Sequence, residues 1–180
     1  MIVPVTDYKI IQNNVPVLTR NDDGTYISTN CWLSDFNIES ENLKSILSGF
    51  GFKNNILDTI KQFGHSPKYT PVLRILTNSN VQTPHFQEYQ DVLSVALFLD
   101  EGNNKPMWLD FFETNNEYRQ YSGKIKYKRI GESTLKSLQQ EYLHRGITGR
   151  SNLYALEFYL KYGFKRLAEH ELLLYWGPQR

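Results

Sequence analysis

Between Gly123 and Phe164 the chain carries two groups of residues that together could bind an anion and move a proton. In the first, Lys124, Lys126, Lys128 and Arg129 crowd the approach to Gly131, where an amphipathic helix is predicted to begin. Cations at a helix start oppose the positive end of the helix dipole, at about a few tenths of a kcal/mol each when exposed. The arrangement becomes favourable if an anion sits between them. Backbone N–H groups of Arg129, Ile130, Gly131, Glu132 and Ser133 would cradle a phosphate there, with Gly131 allowing close approach. A solvated basic loop is the plainer alternative. In the second group, Asn152, Ala155 and Tyr159 stand at i, i+3 and i+7 of a helix predicted over 152–162, and so form one stripe. Ala155 is small enough for close contact with a ligand, and Tyr159 points a hydroxyl along the stripe, while Phe158 beside it is assigned to the core. The plainer alternative here is an ordinary amphipathic helix with an Asn N-cap.

Other chemistries find little support. The four His (65, 85, 144, 170) have no ligand spacing, so no metal site is expected. There is no Gly-x-Ser-x-Gly, no Walker loop and no dinucleotide fingerprint. The single Cys31 excludes an internal disulfide and reads as a core thiol, since no neighbour in sequence could activate it. A formal net charge of +1 supplies no global field for nucleic acid or membrane, so any anion site must be local and no nucleic-acid partner is expected. No apolar run reaches the roughly 18 residues of a membrane span, and the N-terminus lacks a signal-peptide pattern. The expectation is a soluble, cytoplasmic protein.

With 180 residues, 40% of them hydrophobic and 14% aromatic, the chain suits one ordered domain with a substantial core. Extended runs over 7–13 and 15–19, the turn signal Asn21-Asp22-Asp23-Gly24 and the run from Thr25 predict a hairpin. Two short helices follow, one around Leu43, Ile46 and Leu47 and one over 55–63 with Ile56, Ile60 and Phe63 on one face. Strands are predicted at 72–76, 91–100 and 107–114, the last two as antiparallel neighbours. A helix over 132–145 carries Leu135, Leu138 and Tyr142 on one face; a very short strand at 147–149, the 152–162 helix and a strand at 171–176 complete the chain. This order predicts an α+β fold of three layers, α/β/α, in which helices flank a mixed, mostly antiparallel sheet.

The pattern Asn152-x-x-Ala155-x-x-Phe158-Tyr159-x-Lys161-x-Gly163-Phe164 resembles the C-terminal signature of the GNAT superfamily of N-acetyltransferases, with every signature position filled. Upstream, Tyr127-Lys-Arg-Ile-Gly131 resembles the family's pyrophosphate loop, Gln/Arg-x-x-Gly-x-Gly/Ala, with Lys126 at the leading basic position and Arg129 in place of the first glycine. The resemblance spans 91–176 of a single 1–180 domain. It implies a GNAT-like fold, acetyl-CoA as cosubstrate with no metal, and an amine acceptor, either a small molecule or a protein. It also implies a pantetheine arm bonded to strand backbone at Phe111, Phe112 and Glu113, phosphates on the loop from Lys126 through Lys128 to Ser133, and cofactor contacts from Asn152, Ala155 and Tyr159. By the same resemblance Tyr159 is the general acid and Glu113 the base, Asp110 being expected on the opposite face of the strand with Phe112. Loop aromatics Phe86, Tyr89, Tyr118 and Tyr121 would line an acceptor pocket. A rival implication is a degenerate GNAT-like domain that binds CoA or a protein without catalysis, with Arg129 as the departure that favours it.

Overall fold

The Asn21–Gly24 turn closes a long hairpin, its tip held by Thr25, whose N–H and hydroxyl both donate to Asp23 Oδ1 at 2.9 and 2.6 Å. The hairpin joins β1 (Tyr8–Arg20) to β2 (Tyr26–Phe36). The two extended runs expected before the turn are one strand, bent by register shifts between Ile10 and Gln12 and between Gln12 and Val15. The computed structural model describes residues 7–78, 91–118, 126–169 and 171–179. Lys124, His85, Phe86, Tyr89, Tyr121 and His170 lie outside them.

After the hairpin come α1 (Leu43–Ile46) and α2 (Lys53–Phe63), then the meander β3 (Thr70–Asn78), β4 (Val92–Asp100) and β5 (Met107–Thr114). A two-residue β6 (Tyr127–Lys128) leads into α3 (Ile130–Glu141); β7 (Ile147–Arg150), α4 (Leu156–Lys161), β8 (Lys165–Arg166) and β9 (Leu173–Trp176) follow. The nine strands form one sheet in the order β6-β1-β2-β3-β4-β5-β7-β9-β8. Every pairing is antiparallel except β5 with β7, and β4 and β5 are neighbours as expected. Among the described residues no helix is long and apolar enough to cross a membrane.

Two apolar cores, one on each face, make the three layers. Leu43, Ile46, Ile56 and Ile60 press α1 and α2 onto Leu73, Ile75, Val95 and Leu97. On the other face Ile130, Leu135, Leu138 and Tyr142 of the α3 region and Leu156 of α4 pack on Leu33, Leu76, Ala96 and Phe98. Cys31 is fully buried there, in a core position. Burying a Leu or Ile side chain is worth about 1.5–3 kcal/mol. Each short helix is therefore held by its apolar stripe rather than by its own propensity.

The feature that positions a site is where β5 and β7 part. They pair only from Met107 to Leu109 against Ile147 to Gly149. A Cβ on Gly149 would lie 2.7 Å from the Leu109 carbonyl oxygen, so glycine is what lets the strands approach at the last paired position. Beyond it, Asp110–Thr114 run on with no β7 partner, and β7 turns to β9 instead. One edge of β5 is thus open in the middle of the sheet.

Candidate active site

The loop ahead of α3 takes its shape from an unusual residue. Arg129, the N-cap, has φ of 63°, in the left-handed region where glycine is favoured. It adopts the turn despite its Cβ, at a cost of order 1 kcal/mol. No side chain caps the helix, and the N–H of Ser133 is the first to return to Arg129 O, at 2.9 Å. The N–H groups of Ile130, Gly131 and Glu132 therefore point out of the helix start, as the first-turn donors of any α-helix do.

These donors face a cleft of about 610 Å³. Of the residues expected at a cofactor site, Phe112, Glu113, Lys128, Arg129, Ile130, Gly131 and Glu132 line it. Lys126 does not; it is exposed, with its ammonium 5.3 Å from the Tyr127 ring. Ser133 spends its hydroxyl on Pro16 O at 2.6 Å, anchoring α3 to β1. Lys128 rests its ammonium 4.0 Å from the centre of the Tyr26 ring. Glu132 is held below the usual carboxylate range chiefly by its hydrogen bond from Lys136, at 2.9 Å, so the acid within the cradle already has its cation.

Sequence reasoning missed several cleft walls. Phe158 and Tyr162, spaced i and i+4 on α4, line the cleft together, and Phe158 reaches Phe112 with ring centres 6.2 Å apart. Their spacing was the available signal, but Phe158 had been assigned to the core. Tyr118 lines this same cleft, packed edge-on to Tyr127 at 4.7 Å. Thr114, Tyr127 and Phe52 come from three distant segments, and no sequence signal joins them.

The stripe of Asn152, Ala155 and Tyr159 is altered by a shorter helix. Because α4 begins at Leu156, Asn152 lies in the preceding turn, exposed, and its Oδ1 accepts the Ala155 N–H at 2.8 Å. It closes a turn ahead of the helix, whose N-cap is Ala155, and neither it nor Ala155 lines the cleft. The Phe111 side chain packs against the core on the α1/α2 face, while its backbone runs along the stretch of β5 beyond the β7 pairing. Tyr159 faces a small separate cavity beside Leu109, Gly149 and Arg150, at the point where β5 and β7 part. Desolvation alone pushes its phenol up to about 12, so the hydroxyl stays protonated at physiological pH.

Glu113, the expected base, is only 4% exposed. Its Oε1 accepts the N–H of Gly51 at 2.8 Å and its Oε2 that of Phe52 at 3.0 Å, at the entry to α2. Simple alternation also fails along β5. A register shift between Leu97 and Phe98 leaves Asp110 with no β4 partner, so it is the extra residue of a bulge. The bulge turns Asp110 to the α2 face, where Thr59 Oγ1 of α2 donates to its Oδ2 at 3.3 Å. Asp110, Phe111 and Glu113 thus share a face, and Phe112 lies opposite, packed with the α3/α4 core. The expected pairing of Asp110 with Phe112 is corrected by that one inserted residue.

Among the described residues no group of three or more His, Cys, Asp or Glu could hold a metal ion. No family model matches the chain, and no curated protein is similar to it in sequence. Solved structures are similar in shape. A Tyr-to-Phe mutant of the AtaT toxin, bound to the C-terminus of the antitoxin AtaR and to acetyl-CoA, gives a TM-score of 0.53 at 15% identity, covering 81% of this chain and 92% of that one. A chain of the KacTA–DNA complex gives 0.51 at 16% identity, with the same coverage. The fold is GNAT-like. In GNAT-like terms, the segment that resembles the pyrophosphate loop is the uncapped start of α3, and the segment that resembles the C-terminal signature is α4 with its preceding turn. These two pieces, far apart in sequence, meet across the open edge of β5.

Proposed function

We propose that the chain is an acyl-CoA-dependent N-acyltransferase that moves an acetyl group from acetyl-CoA directly to a primary amine. One observation carries this reading: the gap between β5 and β7 has an uncapped, cation-flanked helix start on one side and the Tyr159 phenol at its apex. Lys128, Arg129 and the N–H groups of Ile130, Gly131 and Glu132 suit a diphosphate. The edge of Phe111–Thr114 that faces away from β4, beyond the last pairing with β7, suits the amides of a pantetheine arm, which would add to it like a strand. The acetyl-CoA in the AtaT structure supports the same choice of ligand.

The transfer balances as follows. The acceptor ammonium loses a proton to become a neutral amine, whose lone pair attacks the thioester carbonyl carbon. The C–S bond then breaks, the nitrogen sheds a second proton, and the sulfur gains one, leaving an acetamide, a free thiol and one proton in solvent. In this scheme Tyr159 donates towards the departing sulfur. The burial that lifts the phenol would lift a thiolate beside it in the same direction, since both are anions when deprotonated, so the two stay matched.

Binding is tested by calorimetry with acetyl-CoA. Replacing Lys128 and Arg129 together by Ala should weaken it roughly two- to thirtyfold, as for two exposed charge contacts, and should flatten its salt dependence. Unchanged affinity would remove the loop from the site. Gly131 gives a sharper test. A Cβ there would meet Phe158 and Thr114 only at 3.7 Å, ordinary contact, so the protein's own packing does not require glycine. Gly131→Ala should therefore leave the melting temperature unchanged or raised, yet weaken acetyl-CoA about tenfold by crowding the phosphate. An alanine variant that binds at the parental strength would show that no ligand approaches this backbone.

The rival reading, a domain that has lost catalysis, drew on Arg129. That residue adopts the left-handed turn that glycine favours and lines the cleft, so the departure from glycine still admits the turn and adds a cation. For partners, the neutral overall charge disfavours nucleic acid, whereas the KacTA assembly was solved with DNA and AtaT with an antitoxin peptide. A polyanionic or protein partner therefore belongs in any binding screen. We place the protein in the cytoplasm, in keeping with a single cysteine, Cys31, which leaves no internal disulfide to form.

A further inference from the structure

On the α2 face of the sheet, behind the open stretch of β5, lies a second cavity of about 540 Å³ that the cofactor cleft does not include. Its side wall is aromatic. Phe63 at the end of α2 and Tyr69 pack edge-to-face at 5.7 Å, and Trp108 of β5 joins them. Asp110 and Thr148 line it at the level where β5 and β7 part, one residue along each strand from Leu109 and Gly149, which line the Tyr159 cavity on the other face.

We propose that this cavity receives the acceptor, and that the acceptor is a monocationic primary amine on an aromatic or compact apolar body, its ammonium bound by Asp110. The inference rests on the acetyl-transfer reading above. Three features carry it. The bulge aims Asp110 into the cavity instead of leaving it in the ladder. Each carboxylate oxygen takes only one long contact, Thr59 Oγ1 to Oδ2 and Trp108 Nε1 to Oδ1, both at 3.3 Å, whereas a carboxylate offers about four acceptor sites. An ammonium placed there lies beside the aromatic wall, which favours a cation and an apolar body alike. The rest of the cavity selects against further positive charge. Glu101, the other acid lining it, already accepts Lys105 Nζ at 2.8 Å and has Lys68 Nζ at 3.6 Å, and Lys105 itself lines the cavity. A second ammonium on the acceptor would meet those lysines rather than a carboxylate in need of a partner. Positioned by Asp110, the amine nitrogen would approach the thioester through the gap between the strands, from the face opposite Tyr159.

The test uses phenethylamine and spermidine as acceptors, assayed by release of the CoA thiol, with calorimetry of phenethylamine alone and of acetyl-CoA alone. Phenethylamine should be acetylated with a kcat/KM at least tenfold above that for spermidine. Asp110→Asn, which keeps an oxygen for Thr59 or Trp108, should raise the KM for phenethylamine about tenfold or more, with a smaller change in kcat and an unchanged acetyl-CoA affinity. Tyr69→Leu, which spares Asp110, should also raise that KM. A KM that stays at the parental value in Asp110→Asn, or a preference for spermidine, would overturn the proposal. Acetyl-CoA binding without any binding or acetylation of phenethylamine would overturn the groove and leave the transfer reading standing. Phenethylamine binding that is lost in Asp110→Asn, in a protein that does not bind acetyl-CoA, would do the reverse.

Discussion

Tyr159→Phe should lower kcat by about 10²–10⁴-fold, the usual contribution of a general acid, while leaving acetyl-CoA affinity within about twofold. The substitution keeps the ring, and the ring does the packing: Tyr159 sits against Phe158 at 5.4 Å and Phe164 at 5.2 Å between centres. Only the hydroxyl is lost, and its raised pKa owes nothing to a protein partner, burial being its sole cause. The melting temperature should therefore stay within a degree or two. Single-turnover measurement of thiol release, beside a thermal melt, separates the outcomes. Parental turnover in the Phe variant would leave the hydroxyl without a chemical part and pass the proton to water. A fall in turnover that merely follows a fall in melting temperature would point to packing instead.

Glu113→Gln should act first on stability. Each oxygen of Glu113 holds a backbone N–H where the chain turns into α2. The Gln amide keeps one acceptor and turns an NH₂ towards the other N–H, which leaves a donor without a partner in a nearly buried place. Losing a hydrogen bond to a charged group costs about 1.5–3 kcal/mol. For a domain of this size that is a fall of roughly 3–12 °C in melting temperature. Activity should decline in step with the disorder introduced at Gly51 and Phe52, because Phe52 lines the cleft at the start of α3. The pH dependence of the remaining activity should keep its shape, as expected of a residue that positions a loop. A Gln variant with parental stability and a rate lost mainly at low pH would restore Glu113 as the base.

The two predictions separate what was legible in the sequence from what was not. Periodicity alone located nearly every element: the hairpin around Asn21–Gly24, the apolar stripes of α2 and α3, and the adjacency of the 91–100 and 107–114 strands. These are local properties, because side-chain spacing repeats with the period of the element that carries it. Residue type located the helix start at Arg129–Gly131 and singled out Tyr159 by its place in a short, dense pattern. Ends were less legible. The α4 helix starts later than its apolar spacing suggested because Asn152 caps a turn with its own side chain, a competition between local hydrogen bonds that periodicity does not register.

What only the tertiary structure decided is which face each residue serves. One bulge residue at Asp110 reverses the alternation expected along β5, and a bulge is set by the partner strand's register rather than by the strand's own composition. That Glu113 holds the backbone N–H groups of Gly51 and Phe52, some sixty residues away, is likewise invisible along the strand. Phe52, Tyr118 and Tyr127 meet in one cleft through long-range contacts that leave no periodic trace in the chain. The sequence by itself determined the elements, the anion-suited helix start and the candidate acid. Packing the two helical layers on a sheet that parts between β5 and β7 decided which of those residues share a cavity, because contacts between distant segments depend on register and on where one glycine, Gly149, lets two strands touch.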